Sequence, residues 1–184
     1  DGNLSDDQKD YISKIRSVVQ HGNGMIQDLL DINTSKHQKP VLNISSVRLS
    51  EFMANWGANF EKALSSKQQK LIVTGEFQEL TLQTDAGLLS RILDNLLSNA
   101  IKFSEKGTSV DIHIEAQEDK LLIRITDEGP GISAEDQKKM FKPFTRLSAQ
   151  PTGGEPSNGL GLYAAVWFFF HQPRNLDHYL LFPP

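Results

Sequence analysis

The chain reads as an α+β protein, a two-layer α/β sandwich preceded by a long N-terminal helix of the dimerisation type. Three observations carry that reading. Apolar residues between positions 8 and 33 recur at alternating spacings of four and three. Asp85 opens a long amphipathic helix that runs to Phe103. Two alternating segments, 110–116 and 121–127, flank the polar stretch 117–120 as a hairpin does. Strands and helices mixed in this order place helices on one face of a sheet.

Taken in order, Gln8, Ile12, Ile15, Val19, Gly22, Ile26, Leu29 and Asn33 form an a/d seam, and Ser5 or Asp6 can cap its start. A lone helix of this length is marginal in water, so the seam calls for a partner. Gly22 and Gly24 weaken its middle. The polar segment 34–40 is a linker. Residues 41–44 read as a short strand, 49–64 as a helix, and 71–75 and 80–84 as strands. Asp85 supplies the N-cap of the 86–103 helix, and 104–107 is a turn. Residues 148–158 are rich in Pro, Gly and Ser and have no periodicity, which marks a functional loop. Beyond Tyr163 the chain turns strongly apolar through 166–170, Pro173 would stop a helix, and 179–182 is the one remaining strand candidate.

Composition narrows the function. The 184 residues carry 19 basic and 23 acidic side chains, a net charge of −4, which argues against a polybasic nucleic-acid surface. There is no cysteine, so disulfide, zinc-thiolate and thiol chemistry are excluded, and a reducing compartment suits the chain. The longest apolar run, 164–170, falls far short of the ~20 residues of a membrane span. The start at Asp1-Gly2-Asn3, without methionine or a signal-peptide pattern, reads as a piece of a longer protein.

Three constellations carry chemistry. Asn95, Asn99 and Lys102 line one face of the long helix opposite Leu93, Leu96, Leu97, Ala100 and Ile101. Amide oxygens suit a hard cation and the lysine suits phosphate, although a solvated helix face explains the same spacing. Asp127-Glu128-Gly129-Pro130-Gly131-Ile132 puts a carboxylate at a strand end beside two glycines that let backbone approach a ligand. A plain strand-to-helix turn is the simpler account of that motif. Asn158-Gly159-Leu160-Gly161-Leu162 precedes a helix, where free N–H groups make an anion site. Between the last two lies Phe141-Lys142-Pro143-Phe144-Thr145-Arg146, two aromatics three apart followed by a cation.

In this order the motifs resemble the catalytic ATP-binding domain of sensor histidine kinases of two-component systems. Residues 95–103 match that family's N box, 127–132 its first glycine box, 141–146 its phenylalanine box and 159–162 its second glycine box. The helix at 8–33 is similar to the second helix of the family's dimerisation and phosphotransfer hairpin. The resemblance implies three regions: that hairpin helix over 1–38, the ATP-binding domain over 39–165 and an atypical tail over 166–184. It implies ATP and Mg²⁺ as cofactors. Asn99 would ligate the metal, Asn95 would line the phosphate pocket and Lys102 would meet phosphate charge, so Asn95 and Lys102 carry the catalytic roles. Phe103 would lie beside the base, and Asp127 would hold its amino group in a pocket shaped by Gly129, Gly131 and Ile132. Phe144 and Arg146, with Gly159, Leu160, Gly161 and Leu162, would complete the site from the lid side. The implied function is transfer of the γ-phosphoryl group to a histidine, in a cytoplasmic domain of a sensor that is anchored to the membrane, if at all, through regions outside this sequence. Implied partners are a second copy, through the N-terminal helix, and a response-regulator receiver domain.

Two departures from the family matter. None of His21, His37, His113, His171 and His178 has the context of the accepting histidine, so the acceptor helix is expected elsewhere and self-phosphorylation by this chain alone is not expected. The ending after 165 does not match the family's last helix and closing hairpin; it resembles a frameshift, fusion or premature end, which would leave a sheet edge uncovered and favour self-association. A second reading is therefore a catalytically impaired nucleotide-binding or dimerisation module. A third places the chain among the wider ATPases of this fold, the topoisomerases, chaperones and mismatch-repair proteins, which carry a glutamate base where this chain has Asn95.

Overall fold

The computed structural model describes residues 4–5, 7–9, 11–12, 15, 18–19, 22, 24, 26, 42–117, 120–155, 157–170 and 179–181. The chain divides into two compact units, 1–41 and 42–184. In the first, the described positions from 7 to 26 are helical. Ser5 and Gln8 form a capping box: the Gln8 N–H donates to Ser5 Oγ (3.3 Å) and the Ser5 N–H to Gln8 Oε1 (2.9 Å). Ser5 is thus the cap. Ile12, Ile15, Val19 and Ile26 of the seam are exposed, as are Tyr11 and Val18. Leu29, Asn33 and the linker fall outside the described residues.

The second unit holds β1 (Ser45–Arg48), α1 (Leu49–Ala58), α2 (Glu61–Ser66), β2 (Lys70–Gly75), β3 (Thr81–Thr84), α3 (Ala86–Phe103), β4 (Ser109–Gln117), β5 (Lys120–Asp127), α4 (Ala134–Gln137), α5 (Gly161–Phe170) and β6 (Tyr179–Leu181). β1 and β3 pair antiparallel as a small sheet. The main sheet has the order β2-β4-β5-β6, with β4 and β5 antiparallel and the outer pairs parallel.

The hairpin register explains the core. Ile112 faces Ile125 and Ile114 faces Ile123 across the β4–β5 pair. Val110, Ile112 and Ile114 point one way and are fully buried, while Asp111 and His113 take the other face, as the two-residue period of a strand requires. Against this sheet pack Leu49, Met53 and Trp56 of α1 and Leu93, Leu97, Ala100 and Ile101 of α3. An adjacent side of α3, Ile92 and Leu96, meets Ala164, Ala165 and Phe168 of α5 in a second cluster. With two of its faces taken by apolar partners, α3 leaves its Asn95–Asn99 strip for other work.

Several sequence expectations shift. The first strand lies at Ser45–Arg48 rather than 41–44, because pairing to Thr81–Thr84 selects it over the more apolar tetrapeptide before it. The helix expected over 49–64 is two helices, α1 and α2, separated where the Asn59 N–H turns back to Trp56 O (3.2 Å) and the Phe60 N–H to Gly57 O (3.0 Å). The expected uncovered sheet edge is corrected as well. Residues 179–181 pair with Leu122–Arg124 of β5, and Phe168 is fully buried, so the divergent ending supplies both an edge strand and core surface. With β6 laid on it, β5 is no longer the edge over Leu122–Arg124, and the edge passes to a three-residue strand.

Candidate functional site

α3 starts as the sequence requires. Asp85 accepts from the Leu88 N–H (3.1 Å) as N-cap, and its second oxygen accepts from the Asn43 N–H (2.9 Å). Thus fixed, the helix carries its polar strip between two glycine turns. Half-buried Asn95 donates from Nδ2 to Arg91 O (3.0 Å), which orients its amide oxygen outward from the helix. That oxygen faces Gly161, the first residue of α5: a Cβ at position 161 would lie 3.3 Å from Asn95 Oδ1 and 3.6 Å from Asn99 Nδ2. Any side chain there would press on both amides, so glycine keeps the space above them open.

One turn further, the C-terminal end of α3 meets the other glycine turn. The Gly129 N–H donates to Asp127 Oδ1 (2.8 Å), and the Ser104 hydroxyl reaches the same oxygen at 3.5 Å. A Cβ at Gly129 would lie 3.2 Å from Phe103 O, so the turn lies directly against the end of the helix. Glu128 holds the turn from its far side by accepting from the Ser109 N–H (2.8 Å) and Oγ (3.0 Å); the Ser109 N–H keeps its carboxyl below the usual glutamate range. Asp127 is itself exposed and keeps an unencumbered oxygen, Oδ2, among the described contacts.

The 159–161 turn closes the third side. Gly159 has φ of 71°, and a Cβ there would lie 2.5 Å from Thr145 O, so no other residue fits. Through this contact the 141–146 segment is held against the start of α5. Leu160 is buried, its N–H donating to Asn158 Oδ1 (3.0 Å) and its carbonyl accepting from the Ala164 N–H (2.8 Å). Phe144 is 61% exposed with φ of 60°, a left-handed conformation uncommon for a bulky residue, and Arg146 is exposed. Leu162 packs on the second apolar cluster, Ile132 is half-buried, and Gly131 (φ 71°) has open space where a Cβ would be. Burial lowers the Lys102 ammonium below the usual lysine range, and the nearby Glu155 carboxylate acts in the opposite direction.

The geometry therefore gathers Asn95, Asn99 and Gly161 at one place, and Phe103, Asp127 and Gly129 a helical turn away. It leaves Phe144 and Arg146 out on the surface. No sequence motif points to Ser104, fully buried and within reach of Asp127, or to Lys67, Gln69 and Thr152, which bond the end of α3. Each lies outside a recognisable motif, and only the fold brings it there.

Comparison with known proteins bears on family and fold. Residues 84–167 match the family described as histidine kinase-, DNA gyrase B-, and HSP90-like ATPase, and that segment belongs to it. Within this class, the chain carries the catalytic ATPase domain of a sensor histidine kinase. It is 33% identical over 168 residues to the sensor histidine kinase GacS of Pseudomonas protegens, covering 86% of this chain and 18% of that protein. It is 28% identical over 171 residues to the circadian input-output histidine kinase CikA of Synechococcus elongatus, covering 88% and 22%. The chain thus spans about a fifth of the length of these relatives. Its fold is similar to that of full-length ShkA, solved in complex with AMPPNP, with a TM-score of 0.70 and 21% identity over 92% of this chain and 35% of that one.

Proposed function

We propose that this domain binds Mg²⁺-ATP and transfers the γ-phosphoryl group to a histidine carried on a helix other than those of this chain. One observation supports the reading above the rest: α3 presents two amides to the start of α5 and, one turn on, abuts the turn that holds Asp127. A purine whose exocyclic amine donates to Asp127 would lie beside Phe103 and Ser104, in the pocket of Gly129, Gly131 and Ile132. Its phosphates would then run along the helix toward Asn95, Asn99 and the α5 N-terminus, where the helix dipole and N–H groups favour anions. Lys102 adds cationic charge, and the Gly159–Leu160 turn shapes the lid side.

Mg²⁺ bound with the nucleotide would offset charge on the transferring group. The donor set fits such an ion. Among the described residues no cluster of three His, Asp or Glu is found, so a metal would come with its phosphates and take one protein oxygen, from Asn99. With Asn95 in the place of a glutamate base, the chain has no side chain there to activate water, which favours transfer over hydrolysis. Among the described histidines, His113 lies on β4 with its Nδ1 3.1 Å from Thr74 Oγ1, not on an accessible helix seam. None of the five histidines has the sequence context of an acceptor, so we place the acceptor on a helix outside this sequence. The seam at 8–33 would pair with a second copy, and a receiver domain would take the phosphoryl group onward. Among the described residues no helix is long and apolar enough to cross a membrane.

Calorimetric titration with ATP and ADP, with and without Mg²⁺, tests the binding. The Asp127→Ala variant should bind at least tenfold more weakly, since a charge-assisted hydrogen bond contributes about 1.5–3 kcal/mol. Unchanged affinity would refute the site. Labelled ATP with a separately supplied phosphoacceptor hairpin tests the transfer, and a hairpin that stays unlabelled refutes it.

A further inference from the structure

The C-terminal end of α3 has carbonyls that its own helix cannot satisfy, and the chain meets them in an unusual way. Lys67, at the end of α2, sends its ammonium to Ile101 O (2.8 Å) and Lys102 O (2.9 Å). The same nitrogen bonds Thr152 Oγ1 (2.8 Å) and pairs with Glu155 Oε1 (2.7 Å), both in the 148–158 loop. Thr152 adds its N–H to Lys102 O (2.9 Å) and its hydroxyl to Ser104 O (2.8 Å). The loop is shaped to aim the carboxylate. The Gly153 N–H donates to Glu155 Oε2 (2.9 Å), and a Cβ at 153 would lie 2.8 Å from Oε1, so glycine makes room for the acid to fold back. Both partners are largely covered, with side chains 12% and 27% exposed. A carboxylate thus sits on Lys67 at the end of α3 and acts on the Lys102 ammonium, the side chain to which the proposed function gives the role of meeting phosphate charge.

We propose that Glu155 sets the affinity and phosphate selectivity of the nucleotide site: its carboxylate latches the 152–155 segment onto Lys67 and competes with nucleotide phosphate for the cationic corner at the end of α3. Phosphate entering near Lys102 meets a fixed negative charge, so binding requires Glu155 to move off and the segment to release. The competition grows with ligand charge. Adenosine, which has no phosphate, does not feel it, whereas ADP and ATP do. The argument rests on the proposed nucleotide site, and the test separates the two.

The test uses Glu155→Gln, which removes the charge and keeps the shape, and Thr152→Val, which loosens the latch and keeps the charge. Calorimetry with adenosine, ADP and Mg²⁺-ATP reads the competition; hydrogen exchange of the 152–155 amides without ligand reads the latch. Glu155→Gln should bind ATP about tenfold more tightly, ADP less so and adenosine unchanged, with the ATP gain shrinking at high salt. Exchange at 152–155 should quicken in both variants. Equal or weaker ATP binding by Glu155→Gln, or the same change for adenosine as for ATP, overturns the competition. Unchanged exchange in Glu155→Gln overturns the latch. A parent chain that binds no nucleotide refutes the proposed function instead, and the exchange result still decides the latch.

Discussion

Asp136 shows how a single side chain holds the site's periphery. It is 3% exposed, caps nothing itself, and accepts from the Ser148 hydroxyl and the Ser148 N–H (2.9 Å) while pairing with Lys139 (3.0 Å). These donors, Ser148 first, hold its carboxyl far below the usual aspartate range. A depressed carboxyl stabilises the fold above its ordinary pKa of about 4 and loses that contribution progressively as pH falls from there to the lower folded value, where the native carboxyl itself takes up its proton. The Ser148 amide resonance should therefore keep its position as the pH is lowered through about 4, and Asp136→Asn should shift it already at neutral pH. Gly159 is the second decisive residue. Alanine at its φ of 71° costs about 1–2 kcal/mol, and its methyl would strike Thr145 backbone atoms at 2.5–2.7 Å, which cannot swing aside as a side chain would. Gly159→Ala should lower stability in urea by more than about 1 kcal/mol and weaken ATP binding along with it.

At the scale of the element, α3 is the frame on which the site is measured, and both its ends are tied to distant chain. Asp85 bonds its own first turn and Asn43, 42 residues earlier. Asp85→Ala should cost about 1–2 kcal/mol by urea denaturation, with Asp85→Asn losing less because it keeps an acceptor. At the other end Lys67, Gln69 and Thr152 take up carbonyls of residues 101–105. In its middle, Asp94 accepts from Trp56 Nε1 (2.7 Å), and burial raises its carboxyl above the usual range despite that bond. Helix existence and start were legible in the sequence, because periodicity and an N-cap are local. The C-terminal ties were not, since 34 residues separate Lys67 from Ile101.

For the whole domain, the informative segment is the one that departs most from the family. Phe168 is fully buried between Ile92, Leu96 and the alanines of α5, with Arg91 4.0 Å above its ring and Trp167 edge-on at 5.1 Å. Phe168→Ala should destabilise the domain by about 3–5 kcal/mol in urea denaturation, the usual cost of emptying a buried aromatic site. A loss under 1 kcal/mol would mean that α5 contributes little to the core.

The order of motifs, the hairpin and the capped helix followed from the sequence alone, because each depends on spacing within a few residues and on the period of its element. Two facts awaited the tertiary structure: that Asn95 and Asn99 meet Gly161 while Asp127 meets Ser104, and that the odd C-terminal residues complete the sheet and the second core. Both are matters of packing between segments far apart in the chain, where burial and steric fit decide and local pattern is silent.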